Sequence, residues 1–238
     1  MANIKVDVYS DIACPCDGTT SNYLRNYILM NSGTCSATLY YNLIVNSRQK
    51  FHIALEKIKT TYPDVQIETV WHPYMIDPET QINGEKYMDY NVRRWGGDGW
   101  TYELREAGQP VGANFGNWKI WPNTLLSHCL VTTILEKTKD PQKGDEAVGA
   151  LFDAVYEKGE NVSEASTVAR IGKELFGIEE SEWNTEERKQ YVRQQDLMAK
   201  SDIGISGVPY FVINNKYVLE GAQSPNTFFN ALKKVANV

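Results

Sequence analysis

Ser10-Asp11-Ile12-Ala13-Cys14-Pro15-Cys16-Asp17 is the stretch from which the rest of the chain is read. It follows Ile4-Lys5-Val6-Asp7-Val8-Tyr9, where apolar residues alternate as in a half-buried strand. A cysteine and a proline directly after a first strand place a thiol at a strand end. Pro15 suits the first turn of a helix, where the N–H it lacks would go unused. The free backbone N–H groups and partial positive charge of such a helix start favour thiolate over thiol. Cys14 is therefore the candidate nucleophile. Cys16 is a candidate second thiol, although cysteines two apart close only a small, strained disulfide ring. Asp17 beside them disfavours a thiolate.

Outward from this stretch, composition bounds the function. With 238 residues, the chain is long enough for one large domain or for a core domain with an insertion. A hydrophobic content of 42% is ordinary for a globular protein. A net charge of -6 and the lack of a basic run argue against nucleic acid as a partner. No apolar stretch approaches the ~20 residues that span a bilayer, so no membrane partner is expected. Met-Ala-Asn-Ile-Lys at the start carries no apolar leader pattern, and a cytoplasmic location is expected. Four cysteines in a chain of this length do not make a disulfide scaffold. In a reducing compartment a cysteine is catalytic, metal-binding or inert. The cysteines and the three histidines lack zinc spacing, so no metal is expected. No glycine motif for phosphate is present either.

Periodicity gives the element order. Phe51, Ala54, Leu55 and Ile58 share a helical face up to Pro63-Asp64. Val65, Ile67, Thr69 and Trp71 alternate as a second strand. A mostly helical block follows, with helices expected over 85–95, from Leu125, over 146–157, 164–176 and 185–201. A loop rich in glycine and aromatics is expected between Gly96 and Trp121, its tryptophans serving as core or as the wall of a groove. Tyr210-Phe211-Val212-Ile213 and Lys216-Tyr217-Val218-Leu219-Glu220 flank Asn214-Asn215 as a hairpin, and a last helix runs over 225–236. The order is β-α-β, helices, then β-β-α. Cys129 lies on an apolar helix face and reads as a plain core thiol. His52 and His72 read as surface or packing residues.

These residues carry a resemblance. Ser10-Asp11-x-x-Cys14-Pro15, Trp71-His72-Pro73, Pro122-Asn123-Thr124 with Ser127-His128, Gly207-Val208-Pro209-Tyr210-Phe211 and Gly221-Ala222-Gln223 together resemble the DsbA-like thioredoxin-fold family. Within it they look most like the cytosolic branch of FrnE-type dithiol-disulfide isomerases. The resemblance implies an α/β, thioredoxin-like fold with a helical domain inserted after the first β-α-β unit. It divides the chain into 1–78, an inserted 79–205, and 206–238. It implies a thiol-disulfide oxidoreductase using the Cys14 thiolate, with Cys16 as second catalytic thiol. Pro15, Val208, Pro209, His128 and Gln223 would contact substrate, and Val208-Pro209 would be the cis-proline loop of the fold. The partner would be a thiol or disulfide, peptide or small molecule. No bound cofactor is implied, though glutathione can act as co-substrate. Oligomeric state is left open.

The chain departs from that pattern in one place. Cys16 stands where the family has tryptophan, and Asp17 where it has the second cysteine. Residues 18–49 then delay the stretch Lys50-Phe51-His52-Ile53-Ala54-Leu55 that normally follows the motif. Either they form an added loop or hairpin over the site, or they are a translated intron, which would also explain the broken motif. The sequence of the transcript separates the two. Two further functions stay in view. A kappa-type glutathione transferase or 2-hydroxychromene-2-carboxylate isomerase shares the fold, but carries serine near the Cys14 position. A non-catalytic module would instead dock peptides on the Val208-Pro209 loop.

Overall fold

The computed structural model describes residues 2–15, 47–108 and 115–238. Cys16, Asp17, Cys35 and residues 18–46 of the stretch read as an added loop or hairpin lie outside the described residues. A four-stranded sheet forms the centre, in the order β2-β1-β5-β6. β1 (Ala2–Ser10) pairs in parallel with β2 (Val65–Pro73) and antiparallel with β5 (Tyr210–Ile213). β5 pairs antiparallel with β6 (Tyr217–Glu220). Val8 sits opposite both Trp71 and Phe211, so the middle of β1 is covered on each side. The turn between β5 and β6 has Asn214 and Asn215 at φ 47° and 55°, the conformation that matches strand twist in a two-residue hairpin. The Asn214 side chain accepts from Lys5 N at 2.7 Å, and its backbone N–H donates to Lys5 O at 2.8 Å. The hairpin is thereby fixed to the start of β1.

α1 (Ser47–Thr61) crosses from β1 to β2. It begins earlier than the apolar pattern indicated, taking in three residues of the stretch read as an insert. The reason is a polar contact that periodicity does not register: Arg48 donates to the Asp145 carboxylate at 2.7 and 3.0 Å. Phe51 packs against Phe211 and Phe228, each 5.3 Å away between ring centroids. This trio joins α1, β5 and the final helix, Pro225–Ala236, which is capped by Ser224 accepting from Thr227 N.

Between β2 and β5 lies the helical block. β3 (Glu85–Lys86) pairs with β4 (Ile120–Trp121) as a short antiparallel ribbon. α2 (Tyr87–Trp95) and α3 (Thr101–Gly108) lie within that excursion. The helix expected from residue 85 therefore starts two residues later, because Glu85 and Lys86 are paired with β4. The loop expected over 96–121 contains α3, where Leu104 packs against the core. Arg105 holds it further, donating to Phe115 O at 2.6 Å and lying over the Tyr87 and Trp118 rings.

α4 (Leu125–Thr138), α5 (Pro141–Phe152), α6 (Ala165–Phe176), α7 (Glu180–Trp183) and α8 (Glu186–Ser201) complete the block. α5 starts before the expected residue 146: Asp140 caps it by accepting from Gln142 N at 2.9 Å, with Pro141 in its first turn. It runs on into a π-helical turn over Asp153–Glu157. One buried cluster spans both parts of the chain, from Val6, Val8 and Phe211 in the sheet to Trp183 and Val192 among the helices.

Candidate active site

The site is assembled where β1 runs out. Asp11 is 1% exposed, and its carboxylate organises the turn that follows. Oδ1 accepts from Ala13 N at 3.1 Å, and the Asp11 carbonyl accepts from Cys14 N at 2.9 Å. An aspartate satisfying the backbone two residues on replaces the lost strand ladder with a tight turn. Oδ2 reaches across to Ile76 N at 2.6 Å, and Ser10 O accepts from Tyr74 N at 3.2 Å. The end of β1 is thus bound to the segment leaving β2. From the other side, Tyr156 donates its hydroxyl to Ile12 O at 3.1 Å. Tyr156 lies in the π-helical turn, the kind of local irregularity that re-aims a side chain at functional sites.

Cys14 emerges from this turn 5% exposed, and its Sγ lies 3.9 Å from the carbonyl oxygen of Val208. The Val208–Pro209 peptide bond is cis. Pro209 itself is buried, and its carbonyl accepts from Gly221 N at 2.8 Å, which holds the loop to the strand after the hairpin. Residues almost two hundred positions apart in sequence, Cys14 and Val208, are therefore in contact.

Both border a groove of about 780 Å³. Tyr74 and Ile76 line one part of it, Trp95, Trp100 and Trp121 another. The aromatic wall is braced from behind. Trp121 stacks on Tyr90 at 3.9 Å with the rings 7° apart, and Trp100 Nε1 donates to Asn91 Oδ1 at 2.8 Å. Tyr74 donates to Ile205 O at 3.3 Å, and burial raises its hydroxyl above the ordinary phenol range. On α8, Asp196 accepts from Met75 N at 2.8 Å, and Lys200 donates to Met75 O at 2.7 Å. α8 thereby fixes the segment that carries Tyr74 and Ile76.

Of the residues singled out in sequence, Cys14, Pro15 and Val208 border the groove, with Pro209 directly behind it. His128 does not. It is 5% exposed on α4, with Nε2 3.1 Å from Tyr74 O and 3.6 Å from Asp11 Oδ1, and it faces the buried side of the turn beside Ser10 and Ile12. Gln223 does not either: its side-chain amide is turned back to donate to Glu220 O. A place in a motif does not report where a side chain points. Cys129 is fully buried, and burial pushes its thiol up to about 12, the cations of α8 offsetting this only in part. His72 lies 2.7 Å from Asp7 and stacks on Tyr9, while His52 lies 3.1 Å from Asp145.

Sequence reasoning missed Asp11, Tyr156 and Arg94 as parts of the site. Asp11 was visible only as a motif letter. Tyr156 and Arg94 carry no local signal; only the turn of a distant helix brings them here.

Comparison with known proteins bears on this geometry. The DSBA-like thioredoxin domain family matches residues 49–233. No curated protein matches the sequence. Among solved structures, the fold is similar to a Streptomyces coelicolor protein assigned as a DsbA oxidoreductase, at 16% identity and a TM-score of 0.66, covering 98% of this chain and 90% of that one. It is similar to a 2-hydroxychromene-2-carboxylate isomerase at 14% identity and 0.56, covering 98% and 96%. It is also similar to a cytosolic disulfide reductase of Pseudomonas aeruginosa, solved with glutathione, at 13% identity and 0.51, covering 98% and 100%. At these identities the likeness is one of fold.

Proposed function

The chain belongs to the DsbA-like thioredoxin-domain family, and from that premise we propose that it is a thiol-disulfide oxidoreductase working through Cys14. The observation that carries this reading is the approach of Cys14 Sγ to the Val208 carbonyl, 3.9 Å away, at the edge of an open groove. A thiol held at a strand end, beside a backbone carbonyl at the groove edge, suits attack on a disulfide lying in that groove.

The Cys14 thiolate attacks one sulfur of the substrate disulfide. The substrate S–S bond breaks, its electron pair leaves on the other sulfur, and a mixed disulfide with Cys14 forms. A second thiol, from Cys16, substrate or glutathione, then attacks the mixed disulfide and releases the reduced product. Two electrons pass overall from the thiol pair to the substrate. The buried Asp11 turn and the Tyr156 hydroxyl keep Cys14 in place through both exchanges. Cys129 takes no part, since its thiol stays protonated at working pH. A reducing compartment, which keeps the resolving thiols available, is the setting proposed.

The test is reduction of insulin by glutathione, followed as turbidity, with the wild type and Cys14→Ser side by side. The wild type is expected to accelerate it, and Cys14→Ser to return it to the uncatalysed rate. Equal rates for the two proteins would falsify the assignment.

A further inference from the structure

Arg94 is the one charged side chain among the described residues that line the groove beside Cys14. Its neighbour on α2, Arg93, is already paired: it donates to Glu85 at 2.7 Å and to Asp77 at 3.5 Å. Arg94 has no carboxylate partner among the described residues. Its guanidinium lies 4.8 Å from the centroid of the Trp95 ring, so one face is covered and the edge donors remain available. A stacked guanidinium with open edges is set up for two parallel bonds to a carboxylate.

The rest of the lining is apolar or slight. Tyr74, Ile76, Trp95, Trp100, Trp121 and Val208 give flat, apolar walls. Gly96 and Gly97, at φ 75° and 154°, take backbone conformations that side chains rarely adopt, and a Cβ there would meet nothing within 4 Å, so the rim beside Arg94 stays open. A volume of about 780 Å³ lies in the range of small-molecule sites, ~300–1,000 Å³. The whole chain carries a net charge of -6, so Arg94 in the groove is a local attraction for an anion that the net charge repels.

Resting on the thiol-disulfide reading of Cys14, we propose that the groove selects small disulfides and thiols carrying a flat aromatic group and a carboxylate, with Arg94 as the specificity-determining residue. The aromatic group lies against the tryptophan wall and the carboxylate takes the Arg94 edge. The chemical step is the exchange described above: the substrate S–S bond breaks, the Cys14–substrate bond forms, and the leaving thiolate carries off the electron pair.

Two measurements on the full chain test this. The first needs no reaction: calorimetric binding of 2-naphthoate and of its neutral counterpart 2-naphthamide. The wild type is expected to prefer the carboxylate, and Arg94→Gln to lower that preference about fivefold, the upper end for an exposed charge pair. Arg94→Lys is expected to restore only part of it, since an ammonium lacks the planar fork. The second compares the Cys14-dependent rate, wild type minus Cys14→Ser, with 5,5′-dithiobis(2-nitrobenzoate) and with the neutral 2,2′-dithiodipyridine. The ratio of the two rates is expected to fall about fivefold in Arg94→Gln. Equal binding of naphthoate and naphthamide by the wild type, or a ratio that Arg94→Gln leaves unchanged, overturns the proposal while Cys14 still reacts. A Cys14→Ser protein that reacts as fast as the wild type removes the thiol reading instead, and naphthoate binding still reports on the groove.

Discussion

Two cysteines of the same chemistry have opposite fates here. Cys14 stands at a strand end on the edge of a groove, 3.9 Å from a carbonyl. Cys129 is fully buried on α4, and burial pushes its thiol up to about 12. At pH 8 the Cys129 thiolate is therefore a vanishing fraction in the folded protein, and its access to reagent is nil. Iodoacetamide at pH 8 is expected to leave Cys129 unlabelled in native protein and to label it fully in 6 M guanidinium, as read by peptide mass mapping. Native labelling of Cys129 at the rate of Cys14 would show that burial does not protect it. The apolar helical surroundings of Cys129 were visible as a pattern of residue types, and so was its plain role. The positions of His128 and Gln223 were not, because a side chain's direction depends on which neighbour offers it a hydrogen bond. His128 has the Tyr74 carbonyl and Gln223 the Glu220 carbonyl, and both turn from the groove.

Among elements, α1 and α5 are joined by a polar contact. Arg48 and His52 on α1 both reach Asp145 on α5, at 2.7 and 3.1 Å. Burial alone would raise the Asp145 carboxyl, but the Arg48 charge and the His52 hydrogen bond hold it well below the usual carboxylate range. A depressed carboxyl contributes stability above its unfolded value of ~3.9 and loses it as pH falls below that toward the folded value. Asp145→Asn is expected to cost about 2 kcal/mol at pH 7, between an exposed ion pair and a fully buried one. The difference from wild type should shrink as pH is lowered past 4, since the aspartate of the unfolded chain then takes up a proton that the folded carboxylate does not. Urea unfolding at pH 7 and pH 3 measures both. A difference that stays constant with pH would assign the cost to packing.

At the scale of the molecule, the chain divides on paper at residues 79 and 205, but the buried residues do not divide there. The cluster holding Val8 and Phe211 also holds Trp121, Leu151 and Trp183, and α8 is bonded to the segment after β2 through Asp196 and Lys200. A chain of 238 residues is beyond the size at which single-step unfolding is the usual rule. With one shared core, unfolding by guanidinium is nonetheless expected to be a single transition. Tryptophan fluorescence, from Trp71 in the sheet and Trp183 among the helices, should share its midpoint with the far-ultraviolet signal. Two separated midpoints would mean that the helical block folds as a unit of its own.

By itself the sequence determined the order of the four central strands and of the longer helices, the thiol at the end of the first strand, the Asn214-Asn215 hairpin and the family. Each of these is written locally, in alternation, in helical spacing or in a few adjacent residues that one turn type requires. Tertiary structure alone decided what braces the thiol's turn and which charge borders its groove. The Tyr156 hydroxyl reaches the Ile12 carbonyl on the buried side of the turn, and the Arg94 guanidinium borders the groove. No periodicity marks either, because what places them is the packing of the π-helical turn and of α2 around the end of β1.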